Sequence, residues 1–435
     1  MREALTEREV LLRAAPHIIR PLRFILPHHQ GLRPAWLIRL GLFLYDHLGG
    51  RHLLPGTSSV NLTRDETGAI LKGDYRQGFE YSDCQVMDSR LVVLNAMDAA
   101  AKGAEIHSRT SCIAARRKGQ LWELRLADNI TNKKYTIQAK VLINASGPWL
   151  DQTLAHIDHH ESREHVRMVK GSHIIVAKLF DHPKAYIFQN PDGRIIFAIP
   201  WEDDFTLIGT TDLDFHGDPG EVAISEEETQ YLCRAVDDYF TTPITPADVI
   251  ESFSGVRPLF DDGKSRAQAA TRDYVLRLDG GGDSAPLLCL YGGKITTYRK
   301  LAESVLEKLA PFLPPMMSPW TEEAQLPGGD FSPDAVESEI TRLGTACPML
   351  AHRHARRLIR TYGTRAFDMT RGLAKPEDMG PHFGGDLYGF EVDYLIANEW
   401  ARTADDVLRR RTHLGLVLKP DEASRLQAWM EDRIQ

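Results

Sequence analysis

The sequence predicts a mixed α/β and α+β protein in which buried strands with crossover helices, a mainly antiparallel middle region and a C-terminal helical region follow one another. Three observations carry this. The apolar run Lys140 to Ile143 ends in a small-residue turn, Asn144-Ala145-Ser146-Gly147; alternating apolar segments crowd residues 172–209; and from Asp334 to Gln435 the pattern is helical and rich in Arg and Glu. With 435 residues, 43% of them hydrophobic and 26% charged, the chain is long enough for two or three domains and a sizeable core. Its 52 basic and 60 acidic side chains leave a formal charge of −8, which excludes nucleic-acid binding through bulk positive charge. Cys84, Cys112, Cys233, Cys289 and Cys347 are odd in number and contain no CxxC pair, so they read as core thiols in a reducing compartment. Arg39 interrupts the longest apolar candidate, Leu37 to Tyr45, so no membrane-spanning helix is expected.

Taken in order, the first 50 residues hold a feature that the bulk charge hides. No acidic residue falls between Glu9 and Asp46, while Arg13, Arg20, Arg23, Arg33 and Arg39 alternate with Trp36, Leu37, Leu40, Phe43 and other apolar residues. Pro34 suits the first turn of a helix running to about His47, where Gly49 and Gly50 stop it. Such a segment is either a basic amphipathic face for anionic lipid or a buried helix with snorkelling arginines. Tyr81 to Ser108 turns helical before Gly103, as a crossover helix does. The segments Ser172 to Ala177, Ala185 to Gln189, Arg194 to Ile199 and Phe205 to Gly209 alternate as strands, with Pro191-Asp192-Gly193 as a hairpin turn. Leu287 to Tyr291 is a strand followed by Gly292-Gly293-Lys294 and a helix from Thr297 to Leu309, an arrangement that makes an anion-binding corner.

Several motifs fail their context. Gly280-Gly281-Gly282-Asp283-Ser284-Ala285 matches GxGxxA but lies between two strand-like runs, so it reads as a hairpin turn. His156, His159, His160 and His165 fit no zinc spacing, and no metal is expected. What remains is a set of polar motifs at strand ends: Lys170-Gly171-Ser172-His173, Gly209-Thr210-Thr211-Asp212, Ser254-Gly255-Val256-Arg257-Pro258-Leu259, Thr271-Arg272-Asp273-Tyr274 and Gly292-Gly293-Lys294-Ile295-Thr296-Thr297-Tyr298-Arg299. Converged, their cations suit a small phosphorylated molecule, because arginine clamps phosphate in bidentate fashion.

These motifs resemble, in the family's order, those of the FAD-dependent aerobic glycerol-3-phosphate dehydrogenases. So do Ala4 to Leu12, Leu32 to Trp36, Tyr45 to Gly49, Gly78 to Cys84, Asn144 to Trp149, Glu399-Trp400 and Arg409 to Thr412. The resemblance implies a FAD/NAD(P)-binding three-layer domain over residues 1–169, a substrate domain over 170–275, a return to the FAD domain over 276–320 and a helical domain over 321–435. It implies oxidation of sn-glycerol 3-phosphate to dihydroxyacetone phosphate, hydride transfer to FAD, electron delivery to membrane quinone, and a peripheral homodimer on an anionic lipid surface at the cytoplasmic face of a bacterial inner membrane. By position, Arg257 and Arg272 take the phosphate-binding and substrate-orienting roles, with Thr210 as a further contact. Lys294 stands beside the flavin as both a substrate and a cofactor contact, and His173 is the candidate base. Ala145, Ser146, Gly147, Gly292, Gly293 and Thr296 are the expected neighbours of FAD.

The family's pattern opens with a βαβ unit of about 30 residues carrying G-x-G-x-x-G, and this sequence contains no such string. The expectation is therefore a FAD domain incomplete at its N-terminus. Two other readings stand beside the dehydrogenase: a catalytically silent remnant or accessory fragment, and an oxidase that passes electrons to oxygen.

Overall fold

The computed structural model describes residues 2–29, 31–49, 53–157, 165–190, 192–261 and 273–434. The chain forms two compact units. One comprises Met1–Glu7, Leu22–Asp83 and Arg109–Pro319; the other comprises Arg8–Pro21, Cys84–Ser108 and Trp320–Gln435.

The first unit is organised by a sheet with nine strands among the described residues. Their order is Leu213–Asp214, Val166–Ala177, Phe205–Gly209, Ile195–Trp201, Ala185–Gln189, Ile19–His28, Gln77–Val86 and Ser58–Asn61, with Val249–Phe260 also paired to Val166–Ala177. Its middle is antiparallel, as the alternating segments require, while Ile19–His28 runs parallel to Ala185–Gln189. Because strand side chains alternate between faces, Ile174 and Val176 share one face. There they join a core with Tyr186, Phe188, Ile196 and Ile208, closed by Leu232 and Val236 of the helix Glu226–Asp237.

A second sheet holds Val275–Gly281, Ser284–Tyr291 and Leu142–Asn144, the first pair antiparallel and the second parallel. Residues 280–283 therefore turn a hairpin, as the failed fingerprint predicted. The meander Thr110–Lys118, Leu121–Asp128, Lys134–Ala139 packs beside it through Trp122, whose indole N–H donates to the Pro286 carbonyl at 2.9 Å. The helix Tyr298–Leu309 carries Arg299, which is buried and donates to both carboxylate oxygens of Glu7 at 2.8 and 2.5 Å. The strong motif that ends in Arg299 thus closes on a structural ion pair.

The second unit is mainly helical, with a core that includes Ile340, Leu343, Leu358, Ile359, Val392, Leu395, Val407 and Leu426. A hairpin of His382–Gly384 with Leu387–Tyr388 interrupts the helices and was not foreseen. The helix Asp88–Ala101 ends before Gly103 as expected, but Tyr81 belongs to the preceding strand Gln77–Val86. Arg90, on that helix, forms a two-pronged ion pair with Glu399, one arm at 2.9 Å, and donates to the Thr361 carbonyl. Both side chains are essentially inaccessible.

Two readings of the sequence are corrected. Arg20 and Arg23 lie in the strand Ile19–His28 rather than on a helical surface, bonded to Gln85 and Glu80. Of the five thiols, none of them in a disulfide, Cys233, Cys289 and Cys347 are buried, whereas Cys84 and Cys112 are half-buried. Gly50, His159, His160 and Pro191 lie outside the described residues.

Two stability outcomes follow. Glu399→Gln leaves the Arg90 guanidinium buried without its counter-charge and is expected to cost about 3–5 kcal/mol, measured by urea unfolding of purified wild type and variant. His17 is buried with both ring nitrogens lacking a hydrogen-bond partner among the described residues, and burial, aided by Arg90, pushes its pKa down to about 3. The unfolded chain protonates this ring below about 6.5, the folded chain only near 3, so its contribution is whole above pH 6.5 and falls as pH drops toward 3. The slope is at most about 1.4 kcal/mol per pH unit, and His17→Leu should flatten the acid limb of a stability–pH curve.

Candidate active site

The long strand Val166–Ala177 organises the site because it pairs with three partners. In register, Phe253, Gly255 and Arg257 oppose His173, Gly171 and Val169, so all six lie on one face. Gly209 opposes His173 on the other flank. The face so formed is floored by glycine. A Cβ built on Gly171 would stand 2.7 Å from Thr210 Oγ1 and 2.8 Å from both terminal nitrogens of Arg257. Any side chain there would displace the guanidinium, so glycine is what allows Arg257 to lie across the strand. A Cβ on Gly255 would meet nothing within 4 Å, and the space beside the arginine is open.

Arg257 Nη1 donates to Asp212 Oδ1 at 2.6 Å and Nη2 to Thr210 Oγ1 at 3.3 Å. The arginine is thereby aimed, and Asp212 balances its charge while the position beside it is solvent-accessible. His173 stacks on Phe253, with ring centroids 4.9 Å apart and planes 14° from parallel. Burial, aided by Arg257, pushes its pKa down to about 4, so at neutral pH the imidazole is uncharged and able to accept a proton. Its Nδ1 is buried without a hydrogen-bond partner among the described residues.

The parallel strands Leu142–Asn144 and Ser284–Tyr291 end side by side, the position at which open α/β sheets take ligands. Both lead into glycines with positive φ: Gly147 at +59°, Gly292 at +71° and Gly293 at +113°. Pro258, next to Arg257, joins the two halves of the site. A Cβ on Gly147 would lie 3.9 Å from Pro258 Cγ, and one on Gly292 would lie 3.7 Å from the Pro258 carbonyl. The glycine corners and the arginine therefore share one neighbourhood. A flat, polar-edged ring system fits such a cradle, where the accessible backbone of Ala145 and Gly293 replaces side chains.

Ser146 is engaged in its own turn, its hydroxyl donating to Asn144 Oδ1 at 2.6 Å and accepting from Thr153. Thr296 is half-buried in the single 3₁₀ turn Ile295–Thr297. Lys294 precedes that turn and donates to Asp273 Oδ1 at 2.9 Å. With 40% and 84% of the two side chains exposed, this pair is worth about 0–1 kcal/mol, so it offers little resistance to an incoming anion. Arg272 lies outside the described residues.

Sequence reasoning did not single out Phe253, the glycine floor or Glu228, which gathers Lys170, Ser172 and Thr211 on the opposite face of the strand. Only Glu228 carried a local signal, the S-x-x-E spacing from Ser225. Lys170, a possible phosphate ligand by motif, is committed to that opposite face.

Comparison with known proteins agrees with this architecture. The pattern of the family described as FAD dependent oxidoreductase matches residues 1–299, and that of the C-terminal domain of alpha-glycerophosphate oxidase matches residues 319–430. Glycerol-3-phosphate dehydrogenase of Pseudomonas aeruginosa is 49% identical over 99% of this chain and 83% of its own length. D-erythritol 1-phosphate dehydrogenase of Brucella abortus is 48% identical over 99% and 86%. The structure of glycerol-3-phosphate dehydrogenase from Bacillus halodurans complexed with FAD superposes with a TM-score of 0.79 at 23% identity, covering 99% of this chain and 81% of that one. Sequence and fold together show that the chain belongs to the FAD-dependent glycerol-3-phosphate dehydrogenase family.

Proposed function

We propose that this protein oxidises the C2 hydroxyl of sn-glycerol 3-phosphate to the ketone of dihydroxyacetone phosphate and passes the electrons to a membrane quinone. The observation that carries this reading is the glycine-floored space beside Arg257 and Thr210, with an uncharged imidazole on the same strand face. Arg257 and Thr210 bind the phosphate, exchanging the Asp212 contact for a stronger bidentate one. Arg272 adds a second cation. His173 receives the hydroxyl proton, while the C2 hydrogen leaves with its electron pair. FAD, when bound, supplies the two-electron acceptor. The backbone at 145–147 and 292–293, with Ser146 and Thr296 beside it, holds the ring edge, and Lys294 places positive charge there. Residues 170–275 thus serve the substrate, and 1–169 with 276–320 serve the cofactor.

The near-equal identity to an erythritol-phosphate enzyme favours a second reading of the same chemistry, with a four-carbon polyol phosphate as substrate. The Asp212–Arg257–Thr210 clamp serves either. Docking on an anionic membrane surface is supported by the helix Ala35–Leu48, which starts after Pro34 and buries none of its side chains. Trp36, Leu40, Leu44 and Leu48 recur at i+4 spacing and are 69%, 48%, 50% and 43% exposed, with Arg33 and Arg39 exposed among them. The alternative of a buried helix with snorkelling arginines does not fit that exposure. Tyr45 and Asp46, on the other side, bond to Ser82 and Thr57 and tether the helix.

The purified chain with added FAD is expected to reduce a soluble quinone faster with glycerol 3-phosphate than with erythritol phosphate, without forming peroxide. The reverse preference selects the four-carbon reading, peroxide without quinone reduction selects an oxidase, and no flavin uptake selects a silent remnant. Arg257→Ala should lose about 2–5 kcal/mol in kcat/KM, roughly 30- to 5000-fold; an unchanged value removes Arg257 from the site. In flotation with vesicles containing anionic lipid, the Trp36→Ser, Leu40→Ser double variant should bind on the order of tenfold more weakly than wild type while keeping activity toward the soluble quinone.

A further inference from the structure

The strand Val166–Ala177 has a second face, and what lies under the site is as ordered as what lies in it. Lys170 and Ser172 point opposite to Gly171 and His173, toward the helix Glu226–Asp237. The third residue of that helix is Glu228, buried to 95%. Its Oε1 accepts from Thr211 Oγ1 at 2.7 Å and from Ser172 Oγ at 2.9 Å. Its Oε2 accepts from the Ser225 N–H at 2.9 Å, closing a capping box, and pairs with Lys170 Nζ at 2.6 Å. Since Ser172 spends its only proton on the carboxylate, Ser254 donates to Ser172 across 2.8 Å. The Ser172 N–H in turn donates to Thr211 Oγ1 at 3.0 Å. One carboxylate therefore ties the strand Val166–Ala177 and the segment at Thr211 to a helix N-terminus, and through Ser172 it reaches Ser254 of the strand Val249–Phe260.

Lys170, Ser172, Thr211 and Ser254 are each the direct neighbour of a residue on the substrate face. Lys170 and Ser172 bracket Gly171, and Ser172 precedes His173. Thr211 stands between Thr210 and Asp212, both bonded to Arg257. Ser254 precedes Gly255. We infer that Glu228 is a positioning residue for substrate phosphate: as a back-face carboxylate bonded to Lys170, Ser172 and Thr211, it sets the spacing of Thr210, Asp212 and Arg257. The inference rests on the reading of Arg257 and Thr210 as the phosphate clamp. Burial pushes the Glu228 carboxyl upward, but donation from Lys170, the Ser225 N–H, Thr211 and Ser172 outweighs this and holds it below the usual carboxylate range. It is charged at neutral pH, as an acceptor of four donors must be.

The test compares FAD-loaded wild type with Glu228→Gln and Glu228→Asp. Flavin absorbance and thermal unfolding establish that each variant is folded and loaded. Glutamine keeps the length but adds donors where the site supplies only donors, whereas aspartate keeps the charge but is one methylene short. For Glu228→Gln the expected result is a KM for glycerol 3-phosphate raised on the order of tenfold with kcat changed less than about threefold, and a calorimetric Kd for glycerol 3-phosphate weakened in parallel; Glu228→Asp should recover part of that loss. A folded, loaded Glu228→Gln with unchanged KM and Kd overturns the inference and leaves the proposed function intact. Loss of kcat at constant Kd also overturns it, because the clamp is then not what Glu228 sets. A wild type that neither turns over nor binds glycerol 3-phosphate overturns the function and, with it, the inference.

Discussion

A β-strand must present successive side chains to opposite faces, and in Val166–Ala177 this constraint decides where the side chains of the candidate site stand. On one face Ile174 and Val176 enter the core shared with the helix Glu226–Asp237, so the strand cannot shift by one residue without burying His173 and exposing Ile174. That register fixes everything on the reverse. It places the imidazole on Phe253, leaves Gly171 under the arginine and puts Gly255 beside open space. The candidate site's face inherits its geometry from the hydrophobic face.

Charge is handled differently at the surface and in the interior. Arg257 and Lys294 are each met by a carboxylate, Asp212 or Asp273, while still partly accessible to water. Such pairs are weak and cost little to break. In the interior the pairs are closed: Arg299 with Glu7, Arg90 with Glu399, Glu228 with Lys170. There desolvation makes a lone partner costly, so the pairs specify which segments meet rather than add much net stability. Exposed pairs can be exchanged at little cost, whereas the buried ones hold the frame.

Much of this was legible in the sequence for local reasons. Pro34 and Gly49 bound the helix Ala35–Leu48 within a residue of their expected effect, and the alternation of 172–209 read directly as antiparallel strands. Arg257, Thr210 and His173 were legible only as a set, because the polar motifs that carry them follow one another in the order of the family they resemble. What escaped depends on partners distant in sequence. Arg20 and Arg23 looked like a basic surface because Gln85 and Glu80, their cross-strand partners, lie far along the chain. Arg299 ended one of the polar motifs, and its structural role was hidden because Glu7 is almost three hundred residues away. Glu228 looked like one acid in a run of three, since its meeting with Ser172 and Thr211 exists only after the sheet has formed. The hairpin at 382–388 has strands too short to show a period.

The pairing of Glu7 with Arg299 bears on how the chain matures during translation. The two residues are separated by 292 positions. At about 5–20 residues per second a ribosome takes roughly 15–60 s to bring the second into existence after the first. Throughout that interval the Glu7 carboxylate lacks the Arg299 counter-ion, and burying it alone is costly. The pair therefore cannot close until position 299 has been synthesised, which makes this contact of the first unit a late one in the life of the chain.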